Sequence, residues 1–594
     1  MPRMTTEKPK NAKKSFSIFV KSLKRFRLVF IVALVFTIIS SVLRLLSPKI
    51  LGNMTNTAVS SLQESGIIDL EQLETYTIQL IIIYAIVSIL GYFEHFLLSR
   101  ATAYYTEKLR AEIMAKISRL PISYFDTHKF GDTLSILSND VDTLWDSLTE
   151  GLAQIITNVT TVCGSLTMML IISPILAVTA IAVVPLATIF ISKVAKKAQK
   201  YFVSQRKELG ELNAHIEEDY SGQLIIKSNS HEEASTAEFE KTNEKLYENS
   251  WKSRFLSSLA FPIVHFFTNF GYVIICVFGG NLVLEGKLLI GNVQAFLQYL
   301  SRFNQPLSNL SEIVATFQQT LAAAERVFGF LEEQEEKPNP ELSKIIPRVK
   351  GAIEFHDVSF SYNKKTPVIK HFSAKINPGE QVAIVGPTGA GKTTIINLLM
   401  RFYDPDSGYI TIDNIPATEM KRSDVRALFG MVLQDTWLFS GTIQDNLKYG
   451  RESANMSDIK TAARATGIDH LIESMKGGYS AKISEDSDNI SAGEKQLLTI
   501  TRAMIENPPM MILDEATSNV DTRAEQKIQD AFEKLTKGRT SFVIAHRLST
   551  IRNADLILVM RDGNIVEQGN HEELLRKNGF YAELYNSQFA DQNV

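Results

Sequence analysis

The segment Gly386-Pro387-Thr388-Gly389-Ala390-Gly391-Lys392-Thr393-Thr394 carries the spacing G-x-x-x-x-G-K-[ST] on Gly386, Gly391, Lys392 and Thr393. A loop of this kind captures phosphate. Its glycines let backbone N–H groups turn inward, and the helix that follows adds the positive end of its dipole. Lys392 has the reach for β- and γ-phosphates, and the Thr393 hydroxyl is a ligand for Mg²⁺. A second constellation is Met510-Met511-Ile512-Leu513-Asp514-Glu515, four apolar residues followed by two carboxylates. Asp514 has the place of the carboxylate that holds Mg²⁺ in a phosphate-loop fold. Glu515, next along, is placed to polarise an attacking water.

These residues need a strand before the loop and a helix after it. Gln381-Val382-Ala383-Ile384-Val385 is an apolar β-type run, and Ile395-Ile396-Asn397-Leu398-Leu399-Met400 has a helical pattern. Ala352-Ile353-Glu354-Phe355 and Val358-Ser359-Phe360 alternate as strands do. Strands and helices in alternation predict a mainly parallel α/β sheet over residues 351–594.

At 594 residues the chain exceeds one domain. Its near-zero mean hydropathy averages two unlike halves, an apolar one before about residue 330 and a soluble one after residue 350. The net charge of −3 gives no general attraction to nucleic acid. Cys163 and Cys276 sit in apolar runs and read as small apolar residues, so neither a disulfide framework nor a zinc site is expected. The apolar stretch after the basic N-terminal segment is too long for a cleavable signal peptide.

A spanning helix takes about 20 mostly apolar residues. Six stretches qualify: Leu28–Leu46, Ile78–Leu98, Ile155–Ile172, Ile175–Ile191, Phe255–Val283 and, least apolar, Val293–Leu310. Residues 1–27 carry nine Lys/Arg, whereas the loop 52–76 has none but includes Glu64, Asp69, Glu71 and Glu74. That bias puts the N-terminus in the cytoplasm, and six crossings return the chain there. The long charged connections 100–144 and 192–254 read as cytoplasmic helical hairpins whose tips each present a short helix to a soluble domain. The expected organisation is a basic N-terminal segment (1–27), a six-helix transmembrane domain (28–331), a linker (332–350) and the α/β domain (351–594).

Ionisable residues within the spans are Arg44, Glu94, His95, His265 and Arg302. They read either as a polar patch in a transport path, with Glu94 attracting a cation, or as groups near membrane edges that pair with each other. Phe266, Phe267, Phe270 and Tyr272 read either as an apolar pocket or as packing, and Pro306 as a kink.

Asn489-Ile490-Ser491-Ala492-Gly493-Glu494-Lys495-Gln496 resembles the signature motif of ATP-binding cassette (ABC) proteins. The ordered set of Tyr362, the phosphate loop, Gln434, the signature, Asp514-Glu515, Ser518-Asn519-Val520-Asp521 and His546 matches that family. With six spans ahead of it, the chain resembles an exporter half-transporter. The resemblance implies that Tyr362 stacks on adenine, that residues 386–394 and Lys392 hold the phosphates of ATP, and that Thr393 and Asp514 hold Mg²⁺. Gln434 would contact Mg²⁺ and water, Glu515 would be the general base, and His546 would contact the γ-phosphate. Ser491 and Gly493 would close over ATP bound to the other subunit, and Asp521 would link the two sites.

The family signature is usually Leu-Ser-Gly-Gly-Gln, and here it reads Ile490-Ser491-Ala492-Gly493-Glu494. Ala492 adds a methyl where backbone approaches phosphate, and Glu494 brings a negative charge that should repel it. Ser484–Asp488 also lacks the glycine and arginine usual in symmetric exporters. A full catalytic face with an altered signature face is similar to the catalytic half of bacterial heterodimeric multidrug exporters. The resemblance therefore implies a second half-transporter subunit of different sequence in a bacterial cytoplasmic membrane, exporting small hydrophobic or cationic compounds. A lipid or lipopeptide flippase, a peptide exporter and a homodimer with an unusual signature are the alternatives. For a peptide exporter, residues 1–27 leave no room for an N-terminal peptidase domain. The spans argue against a ribosome- or DNA-directed ABC protein, and the fusion of both halves against an importer.

Overall fold

The computed structural model describes residues 12–308, 310–363, 366–434, 436–483, 490–514, 522–544 and 548–589. The chain forms two compact units, Met1–Ser118 with Phe130–Glu333, and Arg119–Lys129 with Gln334–Val594.

The first unit is helical. In chain order it contains α1 (Ala12–Ser22), α2 (Arg27–Ser65) and α3 (Leu70–Ile117). The short α4 (Ile122–Thr127) belongs to the second unit. Then come α5 (Phe130–Ser135), α6 (Val141–Asp146), α7 (Leu152–Ile172), α8 (Pro174–Ser221), α9 (Gln223–Ser228), α10 (Glu232–Ser258), α11 (Ala260–Leu284), α12 (Ile290–Ser308) and α13 (Leu310–Glu332). Local sequence sets the turns between them. Gly66 ends α2 in the left-handed region (φ 71°), and the Asp69 side chain caps α3 by accepting from the Gln72 N–H at 3.1 Å. At the Ser173-Pro174 turn, the Ser173 hydroxyl accepts from the Leu176 N–H at 3.4 Å, and Pro174 fills the first helical position, where no donor is needed.

The first five expected spans fall on helices, and the sixth does so over its described residues. Four helical stretches, Arg27–Ser65, Leu70–Ile117, Phe130–Ile172 and Glu232–Leu284, are long and apolar enough to cross a membrane. Of the fourth expected span, only the short stretch Pro174–Val183 stands out as apolar. The sixth lies largely on α12, which carries Gln294, Gln298, Arg302 and Asn304.

Pro48, inside α2, has no N–H for the Arg44 carbonyl four residues back. Polar side chains satisfy that carbonyl instead. The Ser47 hydroxyl donates to it at 2.9 Å, and the Arg302 guanidinium on α12 donates at 2.5 Å. Tyr299, also on α12 and fully buried, donates to the next carbonyl, Leu45, at 2.6 Å. Arg302 is thus a backbone cap across two helices. The buried Tyr299 belongs to an apolar cluster with Leu45, Met169, Leu176 and Phe296.

The connections 100–144 and 192–254 are indeed helical extensions, and the tips carry the six-residue helices α4 and α9. The first extension contains the π-helical turn Ile136–Asp140, and a second, Ser147–Gly151, follows just beyond it. Buried Asp140 accepts two hydrogen bonds from Arg326 on α13, at 2.8 and 2.5 Å. On α9 and beside it, Tyr220 and Leu224 are 86% and 83% exposed.

The second unit contains β1 (Ile353–Phe360), β2 (Ile369–Ile376), β3 (Gln381–Val385), α14 (Lys392–Leu399), β4 (Ser407–Ile412), β5 (Ile415–Pro416), α15 (Arg422–Arg426), β6 (Phe429–Val432) and β7 (Gly441–Thr442). It continues through α16 (Ile443–Lys448), α17 (Met456–Thr466), α18 (Asp469–Ser474), β8 (Lys482–Ile483), α19 (Ala492–Glu506), β9 (Met510–Asp514), α20 (Thr522–Thr536), β10 (Thr540–Ile544), α21 (Leu548–Arg552), β11 (Leu556–Arg561), β12 (Asn564–Gly569), α22 (His571–Lys577) and α23 (Phe580–Phe589). The main sheet has the order β12-β11-β3-β10-β9-β6 and is parallel except for β12. A smaller antiparallel sheet has the order β2-β1-β4-β5.

The main sheet is buried on both faces, which is why its strands read as unbroken apolar runs. On β9, Met510 and Ile512 enter one apolar cluster while Met511 and Leu513 enter another. On β10, Phe542 and Ile544 face the first cluster and Val543 the second. Alternation along each strand therefore buries one row of side chains with α14 and the antiparallel sheet and the other with α17, α19 and α20.

Candidate nucleotide site

Strand β3 lies between β11 and β10, and Val382, Ala383 and Ile384 are fully buried. It delivers the chain into the phosphate loop. A Cβ at Gly386 would come within 2.3 Å of the Met560 carbonyl oxygen, so only glycine passes that strand. Gly391 has φ +98°, in the left-handed region, and turns the chain into α14. Pro387, Thr388 and Gly389 are exposed at the crest, and Ala390 is buried beneath.

Lys392 opens α14 and is buried. Its ammonium donates to the carbonyls of Gly386 and Pro387 at 2.8 and 3.1 Å, folding back over its own loop. Burial pulls its pKa below the ordinary lysine value, and the Asp514 carboxylate acts in the opposite sense. A phosphate in the loop would offer this ammonium better acceptors than two neutral carbonyls. Thr393 is exposed, while Thr394 is buried.

The parallel register brings the remaining strand ends to the same edge. Ile544 is opposite both Ile384 and Asp514, and Val432 is opposite Leu513. The carboxyl edge of a parallel sheet is where α/β folds place ligands. Glu515 directly follows Asp514, and His546 comes two residues after Ile544. Glu515, Asp521 and His546 lie outside the described residues, as does Ser484–Asp488 of the signature approach. Gln434 follows β6 by two residues and is exposed. The donor set of Thr393, Asp514 and Gln434 is hydroxyl, carboxylate and amide oxygen, which are the hard oxygen ligands that Mg²⁺ prefers.

Tyr362 follows β1 on the antiparallel sheet and is 46% exposed. Its hydroxyl donates to Thr394 Oγ1 at 3.2 Å and accepts from Asn397 Nδ2 at 3.1 Å, tying it to α14. Its ring meets Phe360 and Tyr403 edge-on, at 5.0 Å in each case. Asn397 and Tyr403 were not singled out by the sequence. The usable signal for Tyr403 was its place in Arg401-Phe402-Tyr403-Asp404-Pro405, directly after the phosphate-loop helix.

The signature residues open a different helix. Ser491 is the N-cap of α19, and that helix packs in the second apolar cluster through Leu497, Leu498 and Ile500. Ser491 and Glu494 form a capping box. The Ser491 hydroxyl accepts from the Glu494 N–H at 3.4 Å, and the Glu494 carboxylate accepts from the Ser491 N–H at 2.8 Å. Glu494 is therefore folded back onto the helix start, where the dipole favours its charge. The carboxylate is engaged locally, and the Ser491 hydroxyl keeps its proton for donation. Gly493 is buried.

Two family models match: ABC transporter transmembrane region, over residues 30–307, and ABC transporter, over residues 369–518. The chain is 46% identical, over 80% of its length and 75% of the relative's, to the fatty acid ABC transporter ATP-binding/permease protein of Mycobacterium bovis. The chain belongs to the ABC exporter family. The exporter is also 36% identical to the uncharacterized ABC transporter ATP-binding protein YfiC of Bacillus subtilis, over 94% of its own chain and 92% of the relative's. A third relative, at 36% identity over 84% of this chain and 74% of its own length, is the probable multidrug resistance ABC transporter ATP-binding/permease protein YheH of Bacillus subtilis. The exporter is thus a multi-pass membrane protein that binds ATP and couples its use to transport, and as a half-transporter it works as a dimer.

Proposed function

We propose that this exporter is the catalytic half of a heterodimer that uses ATP to expel hydrophobic or amphipathic compounds of the multidrug type from the cytoplasm. Its N-terminus and ATP-binding domain lie in the cytoplasm of a bacterial cell. The observation that carries the asymmetry is the contrast between an intact phosphate loop and a signature in which Ala492 and Glu494 stand where the family has glycine and glutamine. A regular partner signature would complete this chain's site, and this chain's signature would cover a weaker site on the partner. The exposed apolar tip at Tyr220 and Leu224, and on the second unit the exposed Trp437 and Tyr449, are surfaces that a partner subunit would cover.

In this reading Tyr362 stacks on adenine, the loop 386–394 with Lys392 holds the phosphates, and Glu515 is the general base. His546 contacts the γ-phosphate. Thr393, Asp514 and Gln434 hold Mg²⁺, which supplies charge neutralisation to the transferred phosphoryl group. Ser491 and Gly493 reach the partner's ATP, and Asp521 links the two sites. Two ATP molecules clamp the cassettes together, the hairpin tips carry that closure to the spans, and hydrolysis at Glu515 resets the pump.

The deciding measurement is ATPase activity of the purified chain in lipid nanodiscs, alone and with a second half-transporter of regular signature. Low turnover alone that rises at least tenfold with the partner is expected, and full turnover alone overturns the heterodimer. A second reading rests on the 46% identical relative named as a fatty acid transporter. Transport into inverted vesicles of a fluorescent hydrophobic cation, against a labelled long-chain fatty acid, separates the two. Movement of the fatty acid alone overturns the multidrug reading.

A further inference from the structure

We propose that Tyr403 is a positioning residue that ties the helix α4 to the base side of the nucleotide site. This rests on the reading of Tyr362 as the adenine-stacking residue. The Tyr403 hydroxyl donates to the Asp126 carboxylate on α4. Burial, and then the facing Asp126, push the Tyr403 phenol well above its ordinary pKa, so the hydroxyl keeps its proton and is the donor at neutral pH. The Tyr403 ring meets the Tyr362 ring edge-on at 5.0 Å and an interplanar angle of 89°, and leans on Phe360 at 5.3 Å. Tyr362 in turn is tied through its hydroxyl to Thr394 and Asn397, both on the helix that begins at the phosphate loop.

The chain of contacts therefore runs from α4 through Asp126, Tyr403 and Tyr362 to α14. The segment Arg119–Lys129 is compact with the nucleotide-binding unit, while α3 and α5, on either side of it in sequence, belong to the membrane unit. A base stacked on Tyr362 fixes that ring, and an edge-on neighbour at van der Waals distance must follow it. The hydrogen bond to Asp126 makes α4 follow in turn. By linkage, whatever factor ATP applies to the docking of α4, the docking of α4 applies to ATP affinity.

The test is hydrogen exchange of the full-length chain in lipid nanodiscs, with and without ATP, with protection of residues 386–391 as the control for binding. ATP should slow exchange over residues 119–129 several-fold in the wild type. Tyr403→Phe keeps the ring and loses the donor, and Asp126→Ala loses the acceptor. Both should remove the α4 response while the loop remains protected. Asp126→Asn, which still accepts, should restore part of it. A merely structural role would raise exchange of α4 with and without ATP and leave the ATP-dependent ratio unchanged. That result, or an unchanged response in Tyr403→Phe, overturns the relay. Tyr362→Ala should raise the KM for ATP several-fold. If it does not, the base-stacking reading fails and the relay with it, whereas a raised KM with intact α4 responses in the Tyr403 and Asp126 variants sinks the relay alone.

Discussion

Lys392 is held by two carbonyls of its own loop, in a place where burial disfavours its charge. Phosphate would relieve both conditions. Lys392→Ala should therefore lower ATP turnover by about 100-fold or more, as loss of a charge-stabilising donor does, measured as steady-state ATPase of the assembled exporter. The pH dependence follows in sign. The pKa of the free-site lysine is depressed, so as pH rises through that lowered value the ammonium is lost, and ATP affinity should fall in a titration series. Glu494 makes a different case. Its carboxylate caps α19, and glutamine can make the same bond, so Glu494→Gln should change thermal stability by less than about 1 kcal/mol. Ser491→Ala removes the cap oxygen and should cost the domain about 1 kcal/mol. If Glu494→Gln raises the ATPase of the chain alone, the charge itself weakens the signature face.

Among the elements, α2 and α12 depend on each other through one missing hydrogen. Pro48 leaves the Arg44 carbonyl without its helical donor, and Arg302 and Ser47 supply replacements. Arg302→Ala should lower stability by about 1 kcal/mol, the net worth of one hydrogen bond, because the Ser47 hydroxyl still reaches the carbonyl; the loss is read as a thermal shift in detergent. Pro48→Ala gives the carbonyl its helical N–H back, so in that background Arg302→Ala should cost much less. Equal losses in both backgrounds would mean that Arg302 acts elsewhere. The parallel sheet shows the same interdependence at larger reach. The register of β3, β9 and β10 places Ile384, Asp514 and Ile544 side by side, and with them the starts of the phosphate loop and of the segments carrying Glu515 and His546. No short-range rule in any one strand specifies that row.

The whole molecule is a half that carries both a motor and a path, and its activity belongs to a pair. Glu515→Gln in the assembled exporter should retain ATP binding and nearly abolish hydrolysis, and should favour closed cassettes in crosslinking. Retained turnover would remove Glu515 as the base. The phosphate loop, the Asp514 strand and the signature were legible in the chain because each is a contiguous motif whose flanks have a fixed period. The spans were legible where apolar runs were long, and less so at α12, whose polar residues serve a neighbouring helix. The sequence by itself determined the family and the order of its two regions, and it supplied the residues proposed to meet phosphate, because backbone turns and strand periods are local. Only the tertiary structure decided that Arg302 caps a proline break, that Glu494 is turned onto its own helix, and that Tyr403 joins Asp126 to Tyr362. Those roles depend on residues far apart in the chain, or on which way one side chain folds, and sequence spacing does not encode either.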